Sequence, residues 1–185
     1  MTTPPPRRIY NYDNMSESKI IASLKEVDKL YTNTISACGI LFYKNTDNGK
    51  ELLLMKYADP NWNKLDDFGG CIDASDSSVI EAIVRETREE SNGKITREMV
   101  ESVINDNNYT VFYNNYSKYY SIVVEVDSTF FPDTSVFGDF EESDQIYRTI
   151  GWYNYNDCKE SVAYRLSKNS DTIAFLENSY NGNLT

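Results

Sequence analysis

Apolar residues along the chain follow two patterns: continuous or alternating runs, and repeats spaced three or four residues apart. The runs are rich in β-branched and aromatic residues and predict five strands. These strands are Thr34–Tyr43, Leu52–Tyr57, Val111–Tyr113, Tyr119–Val126 and Arg148–Tyr155. The spaced repeats predict four helices, at roughly Glu17–Leu30, Ser78–Ser91, Arg97–Asn105 and Asp171–Asn178. Strands that alternate with helices favour an α/β or α+β fold.

The second predicted helix has well-defined ends. Ser78 followed three residues later by Glu81 is a capping box, which satisfies free backbone N–H groups at the start of a helix. Asn92 and Gly93 follow the helix, and both residue types tolerate the left-handed backbone that often ends helices. The sequence therefore predicts a helix that begins and stops at specified residues.

The same helix carries three carboxylates within five residues. Glu86 lies three residues before Glu89 and four before Glu90, a spacing that puts all three on one side of a helix. Arg85 directly precedes them. Acids that share a helix face repel one another unless a cation lies among them, so this pattern indicates a hard-metal site. The alternative interpretation is a solvated helix with exposed ion pairs of little energy.

This run and the glycines before it resemble the Nudix box. In that family pattern a glycine is followed, at fixed spacings, by a glutamate and then by Arg-Glu-x-x-Glu-Glu. The matching residues here are Gly70, Arg85, Glu86, Glu89 and Glu90. The resemblance is local and covers residues 69–93.

The chain departs from the family pattern at three positions. The segment between Gly70 and Arg85 is one residue longer, so the family's first glutamate corresponds to Asp76 or Ser77. Thr87 stands where the family has an apolar residue, and Asn92 stands at the closing glycine. The Arg-Glu-x-x-Glu-Glu core is unchanged.

The resemblance implies a mixed β-sheet between helices and a hydrolase of phosphoanhydride bonds. Glu86, Glu89 and Glu90 would bind Mg²⁺ or Mn²⁺, with the Gly69 carbonyl completing the set, since oxygen ligands suit these hard cations. Arg85 would orient one glutamate by a charge-assisted hydrogen bond. The metal would hold the phosphate oxygens and activate the attacking water, and a glutamate would accept its proton.

The implied substrate is a nucleoside diphosphate linked to another moiety, and two alternatives stay open. Residues 65–70 and 89–92 also resemble Nudix proteins of large DNA viruses, which raises the possibility of mRNA cap hydrolysis. The other alternative is a Nudix-fold module that binds a nucleotide without turnover.

Two loops outside the box contain candidate substrate and metal residues. Trp62 could stack on a base and Lys64 could contact a phosphate, although Trp62 could equally fix its own loop. In a later acidic loop, Glu141 or Glu142 could supply a further metal ligand or base. The alternative for the later loop is a solvated acidic surface.

Length and charge narrow the possible partners. With 185 residues, the chain is expected to form one domain at residues 16–185, preceded by a flexible arm at residues 1–15. A formal net charge of −11 disfavours binding of long nucleic acid, apart from the capped end of an RNA. A small nucleotide or nucleotide-sugar substrate remains compatible with this charge. Because Nudix proteins are often dimers, the resemblance also allows a homodimer.

Residue counts exclude some kinds of chemistry. The chain has no histidine, which rules out Ser-His-Asp and Cys-His nucleophilic catalysis. Its three scattered cysteines fit reduced thiols, so we expect a cytoplasmic protein. No stretch of the sequence is apolar enough to predict a membrane span.

Overall fold

A computed structural model describes residues 10–12, 33–105, 109–114 and 116–178. The predicted helix Glu17–Leu30 and most of the predicted arm lie outside the described residues. Three residues of the arm, Tyr10–Tyr12, form a strand that pairs antiparallel with Asn33–Ile35. Among the described residues, no helix is both long and apolar enough to cross a bilayer.

The fold combines ten strands and five helices within the described residues. The strands, numbered β1 to β10, are Tyr10–Tyr12, Asn33–Ile35, Ala37–Thr46, Gly49–Tyr57, Leu65–Asp66, Phe68–Cys71, Tyr109–Asn114, Tyr119–Glu125, Phe140–Glu141 and Ile146–Asn154. The helices, numbered α1 to α5, are Val79–Glu90, Arg97–Asn105, Tyr155–Cys158, Tyr164–Ser167 and Ser170–Glu177. Short 3₁₀ turns occur at Thr134–Phe137 and Lys159–Ser161.

Eight strands form one mixed sheet in the order β7-β8-β3-β4-β10-β9, with β5 beside β4 and β6 beside β3. The β3–β8 pair is parallel and the other pairs are antiparallel. Along one edge, β3 pairs first with β6 at residues 37–40 and then with β4 at residues 43–46. The sheet therefore splits between β3 and β4, and β5 and β6 lie in the opening.

Both faces of the sheet are buried, which explains the almost continuous apolar sequence of β3. Ile40 and Phe42 face the layer formed by α1 and α2, while Leu41 and Tyr43 face the layer formed by α3, α4 and α5. The alternation follows from the two-residue period of a strand. The predicted α+β fold with a mixed sheet between helices is confirmed.

The longer predicted elements are confirmed within a few residues. Helix α2 has the predicted bounds, and α1 and α5 differ from the prediction by one residue at each end. The predicted strand Thr34–Tyr43 is divided at Ser36 into β2 and β3 and extends to Thr46. The short strands β5, β6 and β9 were not predicted, because two to four residues are too few to show a period.

The ends of α1 form as the sequence predicts. The Ser78 hydroxyl accepts a hydrogen bond from the Glu81 N–H at 3.2 Å. At the other end, Asn92 and Gly93 have left-handed φ angles of 53° and 71°, and the Gly93 N–H donates to the Arg88 carbonyl. The Glu81 carboxylate accepts two hydrogen bonds from Arg97, which joins the start of α1 to α2.

Close packing of two glycines brings β6 against β3. Gly39 of β3 lies opposite Gly69 of β6, and the Tyr119 hydroxyl lies against both. A Cβ added to Gly39 would overlap the Tyr119 hydroxyl and the Phe68 carbonyl. The backbone of Phe68 cannot move aside without breaking the pairing with β3, so a side chain at Gly39 has no room.

We expect Gly39→Ala to lower the free energy of unfolding by about 3 kcal/mol, because the added methyl overpacks a backbone contact. The matched control is Gly151→Ala in β10, where an added Cβ would meet the Tyr153 ring at an ordinary 3.4 Å. The control should change stability by less than about 1 kcal/mol. Urea unfolding of both variants measures the difference, and equal stabilities would contradict the close approach of β6 to β3.

Candidate active site

The two glycines of β6 lie directly against two of the three glutamates of α1. The Glu90 carboxylate is buried and accepts a hydrogen bond from the Gly69 N–H at 2.7 Å. A Cβ on Gly70 would lie 2.6 Å from Glu86 Oε1, so only glycine leaves room for that carboxylate. Glu89 lies at the solvent edge, with 44% of its side chain exposed. The three acids thus extend from the interior to the surface.

Arg85 joins the carboxylates of this cluster to each other. Its Nη1 donates to Glu86 Oε1 at 2.9 Å and to Glu89 Oε2 at 3.1 Å. Its Nη2 donates to the Cys71 carbonyl at 2.9 Å, which fixes the guanidinium to the end of β6. The resemblance implied that Arg85 orients one glutamate, and in the structure it contacts two.

Of Asp76 and Ser77, the two candidates for the first glutamate of the Nudix pattern, Asp76 is the one that contacts Arg85. Asp76 is buried, and its two oxygens accept hydrogen bonds from Nε and Nη2 of Arg85, each at 3.0 Å. Asp76 Oδ2 also accepts from the Asp73 N–H at 2.7 Å. Ser77 is exposed. The aspartate is one methylene shorter than a glutamate, and the extra residue relative to the Nudix pattern lies between Asp76 and Arg85.

Burial leaves the negative charge of this cluster only partly compensated. Loss of solvent raises the pKa of Glu86 to about 7, although the charge of Arg85 opposes the shift. Burial also raises the pKa of Glu90 well above its ordinary value, and the nearby charge of Glu86 adds to that effect. One arginine does not balance these acids, so an additional positive charge beside them would be stabilising.

A fourth carboxylate, on the hairpin formed by β9 and β10, lies near enough to Glu89 and Glu90 to interact with them electrostatically. Glu141 is only 2% exposed, and its Oε1 accepts a hydrogen bond from the Ser143 hydroxyl at 2.8 Å. Its Oε2 has no hydrogen-bond partner among the described residues. Burial raises the pKa of Glu141, and the charge of Glu89 contributes to the increase. Glu142, the alternative in this loop, is exposed.

The donor chemistry of these four glutamates fits a divalent cation. All of the donors are oxygens, and the unpartnered Oε2 of buried Glu141 is an atom that a cation, or a water bound to that cation, could satisfy. Within the described part of the chain, no three acidic or thiol side chains already converge into a metal-binding group. Arg85 and the Gly69 N–H hold the glutamates instead, so binding would require their side chains to turn.

A cavity of about 670 Å³ adjoins this cluster at Gly69. It lies between the loop after β4 and the β9–β10 hairpin, and its lining includes Tyr57, Trp62, Asp66, Gly69, Gln145, Tyr147 and Arg165. Trp62 is 47% exposed and Tyr147 is 64% exposed, which is unusual for large aromatic side chains. The structure thus puts Trp62 at the mouth of the candidate site and adds Tyr147, which the sequence analysis did not identify.

A buried ion-pair network forms one side of the cavity. Arg165 Nε donates to Asp67 Oδ1 at 2.6 Å, and Arg165 Nη2 lies 2.5 Å from Asp66 Oδ1. The Tyr119 hydroxyl donates to the other oxygen of Asp67. Burial raises the pKa of Asp66 to about 7, against the opposing effect of Arg165. These groups fix β5 and α4 together beside the cavity.

Lys64 lies apart from the cavity that Trp62 lines. Its ammonium group donates to the Glu160 carbonyl at 2.8 Å and lies 5.4 Å from the centre of the Tyr164 ring. These contacts turn the side chain towards the surface formed by α3 and α4. The two loop residues that the sequence suggested as a substrate-binding pair are therefore not brought together.

No protein-family model matches the chain, and no curated protein matches it. Among solved structures, the chain is similar to an Ap4A hydrolase from C. elegans in a binary complex. That match has 19% identity and a TM-score of 0.46, and it covers 75% of this chain and 94% of the other. NrtR from Shewanella oneidensis is similar with 13% identity, a TM-score of 0.41 and coverages of 76% and 62%.

We expect Asp76→Asn to lower the free energy of unfolding by about 2 kcal/mol, because Arg85 loses a buried charged partner. Ser77→Asn is the matched control, since it introduces the same side chain at the exposed neighbouring position. The control should change stability by no more than about 0.5 kcal/mol. Chemical denaturation of both variants decides the assignment, which is wrong if the Ser77 variant is the less stable one.

Proposed function

We propose that the protein is a hydrolase of the Nudix type that uses Mg²⁺ or Mn²⁺ to cleave a phosphoanhydride bond. The substrate is a nucleoside diphosphate linked to another moiety. The observation that supports this proposal best is the set of three glutamates on α1, in which Arg85 holds Glu86 and Glu89 and the Gly69 N–H holds Glu90. An aromatic cavity opens beside this cluster at Gly69.

The buried negative charge explains why the cluster would require a cation before it could accept a phosphate. A diphosphate carries the same sign of charge as the four glutamates and would be repelled by them. When bound by Glu86, Glu89 and Glu90, Mg²⁺ or Mn²⁺ would neutralise phosphate charge and activate water for attack. Arg85 holds Glu86 and Glu89 side by side through one oxygen of each, and these side chains would turn from the arginine to bind the cation.

Glu141 is the carboxylate that we assign as general base. Its Oε2 has no hydrogen-bond partner among the described residues, so this oxygen is available to accept a proton from water. Burial raises the pKa of Glu141, and a higher pKa makes a carboxylate a stronger base. Ser143 holds the other oxygen and so restricts rotation of the group.

The aromatic cavity would hold the nucleoside, with its phosphates directed towards Gly69. Trp62 and Tyr147 present exposed rings on elements that border the same cavity, the loop after β4 and the start of β10. A flat base gains favourable stacking energy from such rings. The Gly69 backbone, which bonds to Glu90, marks the end of the cavity nearest the carboxylates.

We expect Glu89→Gln to reduce hydrolysis of a nucleotide substrate in Mg²⁺ by about 100-fold or more, because one negatively charged ligand is lost. The matched control is Glu98→Gln, a fully exposed glutamate in the first turn of α2. The control should retain wild-type activity. A chelator should abolish the activity of the wild type and of the control. Product release is measured by chromatography of the released nucleotides.

The substrate panel for this comparison contains ADP-ribose, dinucleoside polyphosphates, nucleoside triphosphates and capped RNA. Release of methylated guanosine diphosphate from capped RNA alone would identify a cap hydrolase. Tight nucleotide binding by calorimetry without any product would instead identify a binding module. The hydrolase proposal is abandoned if wild-type protein and the Glu89 variant are equally inactive on every compound.

We expect Trp62→Ala to raise KM about tenfold with little change in kcat, because the lost stacking is present in both the bound substrate and the transition state. Lys64→Ala is the control from the same loop, and its KM should stay at the wild-type value because Lys64 contacts Glu160. Steady-state kinetics on the best substrate of the panel measures both. A larger KM effect for Lys64 than for Trp62 would show that the cavity does not hold the base.

A further inference from the structure

The side chain of Asn92 connects the end of α1 to the acidic loop that carries Glu141. Its Nδ2 donates to the Phe137 carbonyl at 3.2 Å and to the Phe140 carbonyl at 2.8 Å. Its Oδ1 accepts from the Glu142 N–H at 3.0 Å. One carboxamide therefore satisfies three backbone groups of the segment 137–142.

Two of these three contacts flank Glu141. The Phe140 carbonyl belongs to the residue before it and the Glu142 N–H to the residue after it. Together they fix the backbone on both sides of the buried carboxylate. Asn92 itself follows α1 by two residues, so these bonds set the distance between Glu141 and the glutamates of α1.

Glu141 needs such a restraint because a carboxylate is more favourably solvated in water than at this buried position. It is an acid that is only 2% exposed, and its Oε2 has lost water without gaining a hydrogen bond from the described residues. Turning the hairpin outwards would return the carboxylate to water. The hydrogen bonds from Asn92 oppose that movement, since all three would break.

Arg148 supports the same segment from the interior. It is 1% exposed, and it donates to the carbonyls of Phe137, Gly138 and Glu90. Both side chains contact the Phe137 carbonyl at the beginning of the segment, and only Asn92 also contacts the residues next to Glu141.

Backbone conformation alone does not explain an asparagine at this position. The φ angle of Asn92 is 53°, a left-handed conformation that glycine adopts more easily. Glycine is also the residue that the Nudix pattern has here. The asparagine side chain, however, supplies three hydrogen bonds that glycine cannot form.

We propose that Asn92 is a positioning residue that holds Glu141 within the carboxylate cluster, so that cation affinity depends on this amide outside the Nudix pattern. This inference rests on the proposed function. It assigns a role in the site to a side chain that would touch neither substrate nor cation.

The test uses the full chain with four changes: Asn92→Gly, Asn92→Asp, Glu141→Gln and the Asn92→Gly/Glu141→Gln pair. Asn92→Gly keeps the backbone conformation and removes the carboxamide. Asn92→Asp keeps the acceptor for Glu142 and loses both donors. Mn²⁺ affinity is measured by electron paramagnetic resonance, and backbone amide hydrogen exchange is followed by mass spectrometry.

We expect Asn92→Gly and Glu141→Gln each to weaken Mn²⁺ binding by about tenfold. The paired variant should be no weaker than Glu141→Gln alone, because Asn92 acts through Glu141. Additive losses in the paired variant would overturn the proposal, since a general structural role of Asn92 predicts independent effects. Asn92→Asp should accelerate exchange in residues 138–145 at least as much as Asn92→Gly, because a carboxylate oxygen would face the Phe137 and Phe140 carbonyls.

Hydrogen exchange separates this inference from the proposed function. In Asn92→Gly, exchange in peptides spanning 138–145 should accelerate about tenfold while peptides from β3 and β8 remain unchanged. Unchanged exchange in 138–145 would overturn the inference even if the protein is a hydrolase. If the wild type binds no Mn²⁺, the proposed function fails, and the exchange result alone then decides whether Asn92 holds the Glu141 segment.

Discussion

The contact between α1 and the glycine backbone of β6 is the interaction on which the candidate site depends. Gly70 leaves space for the Glu86 carboxylate, and the Gly69 N–H bonds to Glu90. On the opposite side, Gly39 and the Tyr119 hydroxyl fill the space against the same strand. Because glycine has no side chain, helix and strand approach closely enough to bury two acids at their boundary. The acids of α1 are therefore placed by backbone packing before any ligand is present.

Buried arginines make this accumulation of negative charge compatible with folding. Arg85 contacts acids of α1 and the loop before it, Arg165 contacts Asp66 and Asp67, and Arg148 lies near Glu141 and Glu90. Each arginine also donates to backbone carbonyls, as a planar group with several donors can. The balance remains incomplete, since burial still raises the pKa of Glu86, Glu90 and Glu141. The arginines thus allow the acids to be buried in the folded protein, and an added positive charge beside the acids would still stabilise them.

The sequence predicted those parts of the fold and site in which the determining residues are close along the chain. The side of α1 that carries Glu86, Glu89 and Glu90 follows from their spacing, and the stop at Asn92 follows from its residue type. Long strands such as β3 and β8 show enough residues for a pattern to appear. In each case the relevant physical preference acts within a few residues.

The parts that could not be predicted depend on contacts between distant segments. The choice of Glu141 over Glu142 is set by the register of the β9–β10 hairpin, in which Glu141 lies opposite Ile146. The direction of Lys64 is set by a carbonyl 96 residues later in the chain. Tyr147 belongs to a strand whose prediction began one residue too late to include it. None of these positions carries a local pattern that distinguishes its alternatives.

The hairpin that carries Glu141 also carries Tyr147. It therefore connects the carboxylate cluster to the aromatic cavity. Tyr147 lies opposite Phe140 with ring centroids 5.0 Å apart, and its carbonyl accepts a hydrogen bond from the Ala58 N–H. Ala58 begins the loop that contains Trp62. A continuous set of contacts therefore runs from Asn92 through Phe140 and Tyr147 to the loop of Trp62. A nucleoside in the cavity would therefore contact the same hairpin that carries Glu141.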